Sequence, residues 1–267
     1  MTASDAPDAA PDSAAPAVSI IAPAKLTLSL RVTGVRDDGY HLIDAEMVSL
    51  DWADRLDITP GRSGITADGP FAEGVPLDDR NLVAAALRLA GRSAAVHLHK
   101  QLPHGGGLGG GSSDAAAVLR WAGLRDPARA VALGADVAYC VVGGRARVRG
   151  IGEIVEPLPF AAVDVTLVVP PIHVSTPAVY AAWDQLGGPT ADGPNDLEPA
   201  ALAVAPELAP WRDRLGDATG VTPVLAGSGG TWFVHGHHDI DHAFDDLVPG
   251  SQRPLVRRAS TIRHDEA

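Results

Sequence analysis

The chain of 267 residues has a single cysteine, Cys140, which excludes an internal disulfide framework and a metal cluster held by cysteines. Positive charge is also scarce, because 21 lysines and arginines stand against 33 aspartates and glutamates, for a formal net charge of −12. This balance argues against a general nucleic-acid-binding protein. It does not argue against a phosphorylated ligand, which a glycine loop and a few lysines can bind inside an acidic protein.

Long apolar runs are missing as well, so the sequence predicts no transmembrane helix and no membrane partner. Residues 1–16 are rich in Ala, Pro, Asp and Ser, and they lack the basic start and apolar centre of a signal peptide. We therefore expect a disordered tail over 1–16, a second tail over 261–267 and a cytoplasmic protein. A hydrophobic fraction of 46% with 20% charged residues is typical of a globular chain with one large or two small domains.

Glycine is concentrated at one place. Residues 103–117 read Pro-His-Gly-Gly-Gly-Leu-Gly-Gly-Gly-Ser-Ser-Asp-Ala-Ala-Ala. The glycines disfavour regular structure, whereas the alanines favour a helix, for which Ser112 or Ser113 is the expected N-cap. A glycine loop that leads into a helix N-terminus attracts phosphate through free N–H groups and the helix dipole. The alternative, a flexible linker, fits poorly because a strand-like segment over 95–100 precedes the loop. The segment is not a Walker A motif, since no Gly-Lys-Ser/Thr closes it.

This loop resembles the phosphate loop of the GHMP kinases, which include homoserine kinase and mevalonate kinase. Its full form, from Leu102 onward, is similar to one branch, the kinases that act on 4-diphosphocytidyl-2-C-methyl-D-erythritol. The segments Pro23-Ala-Lys, Leu133-Gly-Ala-Asp-Val and Gly227-Ser-Gly-Gly extend the resemblance over about residues 23–259. The resemblance implies an α+β, two-domain GHMP-kinase fold. A ribosomal protein S5 domain 2-like N-terminal domain would occupy 17–154 and a ferredoxin-like C-terminal domain 155–260.

Carried over residue by residue, the resemblance implies an ATP site, with ATP and Mg²⁺ as the two cofactors. The expected ATP-binding residues are those of the loop and three near the adenine: Pro103, Gly105, Gly106, Gly107, Leu108, Gly109, Gly110, Gly111, Ser112, Ser113, Asn81, Leu82 and Lys100. Asn81 has an equally good alternative role as the cap of a helix that runs through Leu89. Ser112 or Ser113 is the expected Mg²⁺ contact.

The resemblance assigns catalysis to Lys25 and Asp136. Asp136 would accept the proton of the substrate hydroxyl, and Lys25 would stabilise both Asp136 and that oxygen. From the residues alone, Lys25 lies on the polar face of a strand over 18–32 that has one buried face, where a solvated lysine is the ordinary outcome. Asp136 by itself could be a helix cap. Thr27 stands where the family usually has asparagine.

The tetrapeptide Asp38-Gly-Tyr-His bears on the substrate. In the named branch the tyrosine stacks on the cytosine ring and the histidine hydrogen-bonds to it, which implies these roles for Tyr40 and His41. Thr176, an expected N-cap, and Tyr180 match residues on the other side of the substrate, although Tyr180 could equally be a core aromatic. The implied substrate-binding residues are Tyr40, His41, Thr27, Thr176, Tyr180, Gly227, Ser228 and Gly229.

The implied reaction is transfer of the ATP γ-phosphoryl group to the 2-hydroxyl of 4-diphosphocytidyl-2-C-methyl-D-erythritol, a small-molecule substrate of the non-mevalonate isoprenoid pathway. Two alternatives stay open. A GHMP kinase for homoserine or a mevalonate-type substrate is disfavoured by Tyr40 and His41. A nucleotide-binding relative without activity is disfavoured by Lys25 and Asp136. The sequence does not decide between a monomer and a homodimer.

Local patterns complete the expectations. They predict that 61–79 is mostly loop, that 143–154 is a hairpin and that 163–169 is a strand. A short helix over 239–247 and a last strand over 254–259 should follow.

Overall fold

The computed structural model describes residues 16–240, 242–245, 247 and 253–263. The tail expected over 1–16 therefore lies outside the described residues except for Pro16, and so do residues 264–267 of the second tail. The first part of that second tail is packed against the protein. The backbone N–H of Thr261 donates to the carbonyl of Val163 at 3.0 Å, and the Arg263 guanidinium lies 4.4 Å from the ring centre of Phe160.

Strands and helices both occur throughout the described residues, which confirms the α+β expectation. The strands are β1 (Val18–Val35), β2 (His41–Pro60), β3 (Ile65–Asp68), β4 (Ala94–His99), β5 (Ala146–Gly150), β6 (Ile154–Pro157), β7 (Asp164–Val169), β8 (Val224–Leu225), β9 (Trp232–His235) and β10 (Leu255–Ser260). The α-helices are α1 (Leu82–Leu89), α2 (Gly110–Trp121), α3 (Pro127–Ala130), α4 (Ala135–Val142), α5 (Thr176–Gln185), α6 (Glu198–Val204) and α7 (Ala209–Thr219). Among these helices, none is both long enough and apolar enough to cross a bilayer.

The strands form two sheets. In the first, the order is β3-β4-β2-β5-β6, and β1 pairs along β2. All of its pairings are antiparallel except that of β3 with β4. The second sheet is antiparallel with the order β10-β7-β9-β8. The hairpin expected over 143–154 is confirmed as β5–β6, and β6 continues the first sheet to Pro157.

A buried apolar cluster joins the two sheets. It contains Leu26 and Leu50 from the first sheet, Leu167 and Phe233 from the second, and Leu108 from the glycine loop. The Leu108 side chain is only 1% exposed. At about 1.5–3 kcal/mol for a fully buried leucine, this side chain helps to anchor the glycine loop between the sheets.

The strand β1 differs from the expectation of one buried face. Lys25 and Thr27, on its polar face, are 5% and 1% exposed. The pairing of β1 with β2 shifts register between Pro23 and Lys25 and again between Thr27 and Ser29, so the simple alternation is interrupted there. The glycine loop also covers this stretch, since the Lys25 N–H donates to the Leu108 carbonyl at 3.0 Å. The prediction failed because alternation along one strand says nothing about a loop that packs across it.

One further local expectation is confirmed and another is wrong. The segment 61–79 is mostly loop as expected, with one short strand, β3, which pairs in parallel with β4. Its four residues alternate between half-buried and exposed and carry too weak an apolar pattern to be noticed. No helix forms over the described part of 239–247, where residues 242–245 and 247 are turns. The last strand is confirmed as β10, and the strand expected over 163–169 is confirmed as β7.

Candidate active site

The glycine loop joins β4 to α2 through three left-handed residues. Gly105, Gly107 and Gly109 have φ of 73°, 76° and 68°, a region that side chains rarely adopt. Gly109 is the N-cap of α2 and supplies no side-chain cap. The expected cap at Ser112 or Ser113 is therefore wrong, because the helix begins earlier, within the glycines. The first N–H groups of α2 have no capping side chain and remain available for an anion.

A second glycine turn supports this loop from behind. A Cβ added to Gly229 would lie 2.7 Å from the Cα of Gly107, so the two backbones touch and neither position has room for a side chain. The Thr231 hydroxyl donates a hydrogen bond to the carbonyl of Gly106. Gly229 therefore positions the glycine loop, whereas Gly227 and Ser228 of the same turn line the large cavity described below.

Lys25 and Asp136 form an ion pair, with Nζ 3.2 Å from Oδ2. Lys25 comes from β1, and Asp136 comes from the first turn of α4. The lysine side chain is 6% exposed and the aspartate 36%, so the carboxylate reaches open space while the ammonium stays beneath it. The Thr27 hydroxyl accepts from Lys25 Nζ at 3.4 Å. The threonine that replaces the family asparagine thus still contacts the lysine.

A cavity of about 670 Å³ lies over this pair, between the first sheet and α5. Its lining contains both predicted catalytic residues and most of the predicted substrate residues: Lys25, Asp136, Thr27, Tyr40, His41, Thr176, Tyr180, Gly227 and Ser228. Ile43, Met47 and Val148 of the first sheet form part of its apolar wall. Ser112 lines this cavity and also the smaller one along the glycine loop.

Aromatic rings cluster at one end of the cavity. The ring centres of His41 and Tyr180 are 4.7 Å apart, with 35° between their planes. Burial raises the pKa of Tyr180 to about 12, so its hydroxyl keeps its proton at neutral pH. Tyr40 lines the cavity and is 60% exposed, so its ring is accessible to a ligand. Tyr180 is thus a cavity residue in addition to packing against the core.

Thr176 does not cap α5, contrary to expectation. The N-cap is Ser175, which makes no side-chain cap bond, and Thr176 is the first helical residue. The Thr176 hydroxyl instead lies 2.8 Å from the hydroxyl of Ser228. The helix therefore begins one residue later than a cap at Ser175 and includes Thr176, whose side chain lies at the cavity wall and contacts Ser228 of the second glycine turn.

The two serines after the glycines have different surroundings. Ser113 is 1% exposed, and its hydroxyl donates to the Pro23 carbonyl at 2.7 Å. Ser112 is partly exposed at the junction of the two cavities. Of the two residues considered for Mg²⁺, Ser112 lines the cavities and Ser113 does not.

Lys100 lies on the other side of the loop and is sealed. Its ammonium is 2% exposed and forms ion pairs with Asp54, and with Asp114 at 2.6 Å. Burial opposes the charge on Lys100, but the two carboxylates outweigh it and raise the lysine pKa. Lys100 therefore supports the loop from beneath, because a Cβ added to Gly110 would lie 3.6 Å from its Nζ.

A smaller cavity of about 240 Å³ follows the glycine loop and includes Leu82, Pro103 and Ser112. Asn81, expected either at the adenine or as a cap, is the N-cap of α1. Its Oδ1 accepts from the Val83 N–H at 2.9 Å, and its Nδ2 donates to the Pro76 carbonyl.

Sequence reasoning missed three carboxylates. Asp184 Oδ1 lies 2.8 Å from His41 Nε2 and lines the cavity. Its position one helical turn after Tyr180 was the available signal, since residues four apart share a helix face. Asp54 and Asp114, the partners of Lys100, carry no local signal, because both lie far from Lys100 in sequence.

Comparison with known proteins identifies the family of the chain. Residues 80–144 match the family model described as the GHMP kinases N terminal domain. The chain is 43% identical over 231 residues to a protein of Paracoccus denitrificans named 4-diphosphocytidyl-2-C-methyl-D-erythritol kinase, covering 79% of this chain and 84% of that protein. A protein of Ruegeria pomeroyi with the same name is 41% identical over 246 residues, covering 81% and 88%.

Solved structures extend the likeness. The crystal structure of a 4-(cytidine 5'-diphospho)-2C-methyl-D-erythritol kinase aligns with a TM-score of 0.72 and 32% identity, over 91% of this chain and 99% of that one. A homoserine kinase from Cytophaga hutchinsonii aligns with a TM-score of 0.63 over 95% of this chain and 98% of that one, at 18% identity. The second likeness shows the shared fold alone. The GHMP-kinase fold expected from the sequence is confirmed.

Proposed function

The chain belongs to the family of 4-diphosphocytidyl-2-C-methyl-D-erythritol kinases, and on this premise we propose that it transfers the γ-phosphoryl group of ATP to the 2-hydroxyl of that compound. The observation that carries the proposal is the pair of Lys25 and Asp136, which stands in one cavity with Tyr40 and His41. A catalytic pair and aromatic rings in one space suit a substrate with a reacting hydroxyl at one end and a base at the other.

Asp136 is the proposed proton acceptor. A carboxylate is too weak a base to ionise an alcohol beforehand, so it would take the proton as the new P–O bond forms, or chiefly orient the hydroxyl. The substrate oxygen would attack the γ-phosphorus, and ADP would leave. Lys25 Nζ, 3.2 Å from Asp136 Oδ2, would stabilise both the carboxylate and the oxygen that loses its proton.

The start of α2 is the proposed phosphate site. Its N–H groups lack a capping side chain, and its positive dipole end favours the β and γ phosphates. Mg²⁺ would neutralise part of the phosphate charge, with Ser112 as a protein contact. Leu82 is the proposed neighbour of the adenine, since it lines the loop cavity. Asn81 and Lys100 would act indirectly, as the cap of α1 and the support of the loop.

The aromatic end of the cavity is the proposed cytosine subsite. Tyr40 would stack on the base, and Tyr180 would contact its other side. His41 would hydrogen-bond to the base while Asp184 holds its Nε2. This division explains an exposed Tyr40 ring, because the base would cover it.

A direct assay separates the candidate functions. The protein is mixed with ATP, Mg²⁺ and one alcohol at a time, and ADP release is measured. We expect turnover with 4-diphosphocytidyl-2-C-methyl-D-erythritol, and little with homoserine, mevalonate or a methylerythritol that lacks the cytidyl group. Faster turnover of homoserine or mevalonate would refute the substrate, and absence of ADP with every alcohol would refute the kinase.

The substitution Tyr40→Ala tests the cytosine subsite. Loss of one stacked base costs about 1–3 kcal/mol, so kcat/KM for the cytidyl substrate should fall roughly ten- to a hundred-fold. The KM for ATP should change little, because Tyr40 lines the large cavity and not the smaller one along the glycine loop. Tyr40→Phe is the matched control and should stay within a few-fold of wild type. Equal losses in both variants would assign the effect to the hydroxyl and not to stacking.

A further inference from the structure

A cluster of two histidines and an aspartate lies outside the proposed kinase site, on the opposite face of the first sheet. His97 and His99 alternate along β4 with Val96 and Leu98, which are buried in the core. The histidines therefore project from the outer face of the sheet. Asp68 ends the neighbouring strand β3 and stands in register with His99.

The three side chains converge on a common point. His99 Nδ1 lies 2.7 Å from Asp68 Oδ1, and His97 Nε2 lies 3.2 Å from Asp68 Oδ2. One nitrogen or oxygen from each residue can be chosen so that all three lie within 4.8 Å of one another. Tetrahedral Zn²⁺ with bonds of about 2.0–2.1 Å separates its ligand atoms by roughly 3.3 Å. Small side-chain adjustments would therefore suffice to place an ion between them.

The other nitrogen of each ring is already held. His97 Nδ1 lies 2.7 Å from the Thr66 hydroxyl, and His99 Nε2 lies 2.9 Å from Asp57 Oδ2. Histidines that bind metal almost always donate their second N–H to such a partner, which fixes the tautomer and the direction of the ring. Each ring thus has one nitrogen beside the Asp68 carboxylate and the other nitrogen beside a second polar group. This is the arrangement of histidines that bind a metal ion.

Arg55 opposes metal binding at this place. Its Nη2 lies 2.7 Å from His99 Nε2, and an arginine can only donate, so in this contact His99 Nε2 is the acceptor. A metal ion at Nδ1 requires the proton on Nε2, where it would donate to Asp57. Binding would thus exchange the Arg55 contact for the Asp57 contact.

From this geometry we propose that Asp68, His97 and His99 form a binding site for Zn²⁺, with water in the fourth position. Two imidazoles and one carboxylate suit Zn²⁺, whereas Mg²⁺ prefers oxygen ligands alone. The Asp68 side chain is 58% exposed and that of His97 35%, so an ion can enter from solvent. The ion would tie the short edge strand β3 to β4. The proposal does not depend on the kinase function.

Zn²⁺ titration of the full chain by calorimetry tests the proposal, with absorption of bound Co²⁺ as a second readout of tetrahedral geometry. We expect this site to bind Zn²⁺ in the presence of excess Mg²⁺. Asp57→Asn should weaken binding by about ten- to a hundred-fold, the usual effect of losing an outer partner. His97→Gln and His99→Gln should weaken it more, since each removes a ligand. Circular dichroism and melting in EDTA should match wild type for all three variants.

The histidine-rich segment after β9 provides the control. The double variant His237→Gln/His238→Gln removes two histidines without touching the cluster, and it should leave the high-affinity Zn²⁺ titration unchanged. Loss of that binding in this control, or its survival in both His97→Gln and His99→Gln, would overturn the assignment. Complete displacement of Zn²⁺ by Mg²⁺ would overturn it too.

Discussion

Lys25 and Lys100 lie on opposite sides of the same glycine loop, and both are buried. Lys25 has one carboxylate partner, Asp136, which is 36% exposed and reaches the large cavity. Lys100 has two partners, Asp54 and Asp114, whose side chains are 0% and 4% exposed. Adjacent glycines approach the two lysines, since Cβ atoms added to Gly109 and Gly110 would lie near Lys25 and Lys100 respectively.

Under the proposed function, this difference separates a lysine that meets the substrate from one that holds the loop. A charge pair with one member open to a cavity can exchange its partner for a substrate. A pair sealed from solvent can only hold its surroundings, because separating buried charges costs several kcal/mol. Burial alone therefore does not distinguish the roles of two lysines, whereas the exposure of their partners does.

The largest expected effect is on turnover, and it concerns the open side of the loop, where Lys25 pairs with Asp136 beside the large cavity. Asp136→Asn keeps the size of the side chain but removes the proton acceptor, so kcat should fall by about 10²- to 10⁴-fold while ATP affinity persists. Steady-state kinetics and ATP calorimetry measure the two quantities. Turnover within a few-fold of wild type would show that Asp136 is not the proton acceptor. The exposure of its carboxylate would then not indicate a catalytic role for the Lys25–Asp136 pair.

The second-largest expected effect is a loss of stability on the sealed side of the loop, where Lys100 pairs with Asp54 and Asp114. Lys100→Met leaves Asp54 and Asp114 facing one another without their cation, which should lower the free energy of unfolding by about 3–5 kcal/mol at neutral pH. Urea denaturation measures the loss. Lys25→Met is the matched control, and it should cost much less stability because Asp136 can be solvated through the cavity. Equal losses for the two variants would contradict the comparison.

A smaller effect is expected within the loop itself. Gly109 has a φ of 68°, and an added Cβ would lie 2.6 Å from Lys25 Cγ, so Gly109→Ala should cost about 1–2 kcal/mol or more in unfolding free energy. The control is Gly111→Ala in the first turn of α2, where an added Cβ would meet only Leu82 Cδ1, at 3.9 Å. In this control variant the free energy of unfolding should rise by about 0.4–1 kcal/mol. Similar stabilities for both variants would mean that the Lys25 stem moves aside freely.

Sequence reasoning predicted the loop well because its signal is local. A run of glycines followed by alanines dictates a turn and then a helix, and the chemistry of free N–H groups at a helix start follows directly. The proximity of Lys25 and Asp136, 111 positions apart, came instead from resemblance to a family. Their geometry is now observed, while their catalytic roles remain predictions.

The sealed lysine shows what local patterns cannot supply. The nucleotide-binding role of Lys100 stays a prediction: Lys100 lines the cavity along the glycine loop, and its ammonium is held by Asp54 of β2 and Asp114 of α2. Only the packing of the sheet against α2 brings these three residues together, and each by itself resembles an ordinary surface charge. The mistaken N-cap at Ser112 or Ser113 has a similar cause, since glycines that are poor helix formers begin α2 where the loop is anchored by Leu108.

The smallest expected effect is a pH dependence on the sealed side. Burial raises the pKa of Asp114 from its ordinary value of 3.8 to about 7, against the pull of Lys100. Its Oδ1 is buried and has no hydrogen-bond partner among the described residues, which makes the ionised form costly. Between about pH 4 and pH 7 the folded protein therefore holds a proton that the unfolded chain has released, and this contribution to stability declines as the pH rises.

Asp114→Asn removes this titration and tests it. The variant should gain stability relative to wild type as the pH rises from 5 to 8, because only in wild type does ionisation of a buried carboxyl reduce the free energy of unfolding. Urea denaturation of both proteins at each pH gives the difference in unfolding free energy, in which the contributions of titrating groups remote from Asp114 cancel. A difference that stays constant with pH would mean that Asp114 is ionised throughout. In that case the sealed side holds two full ion pairs.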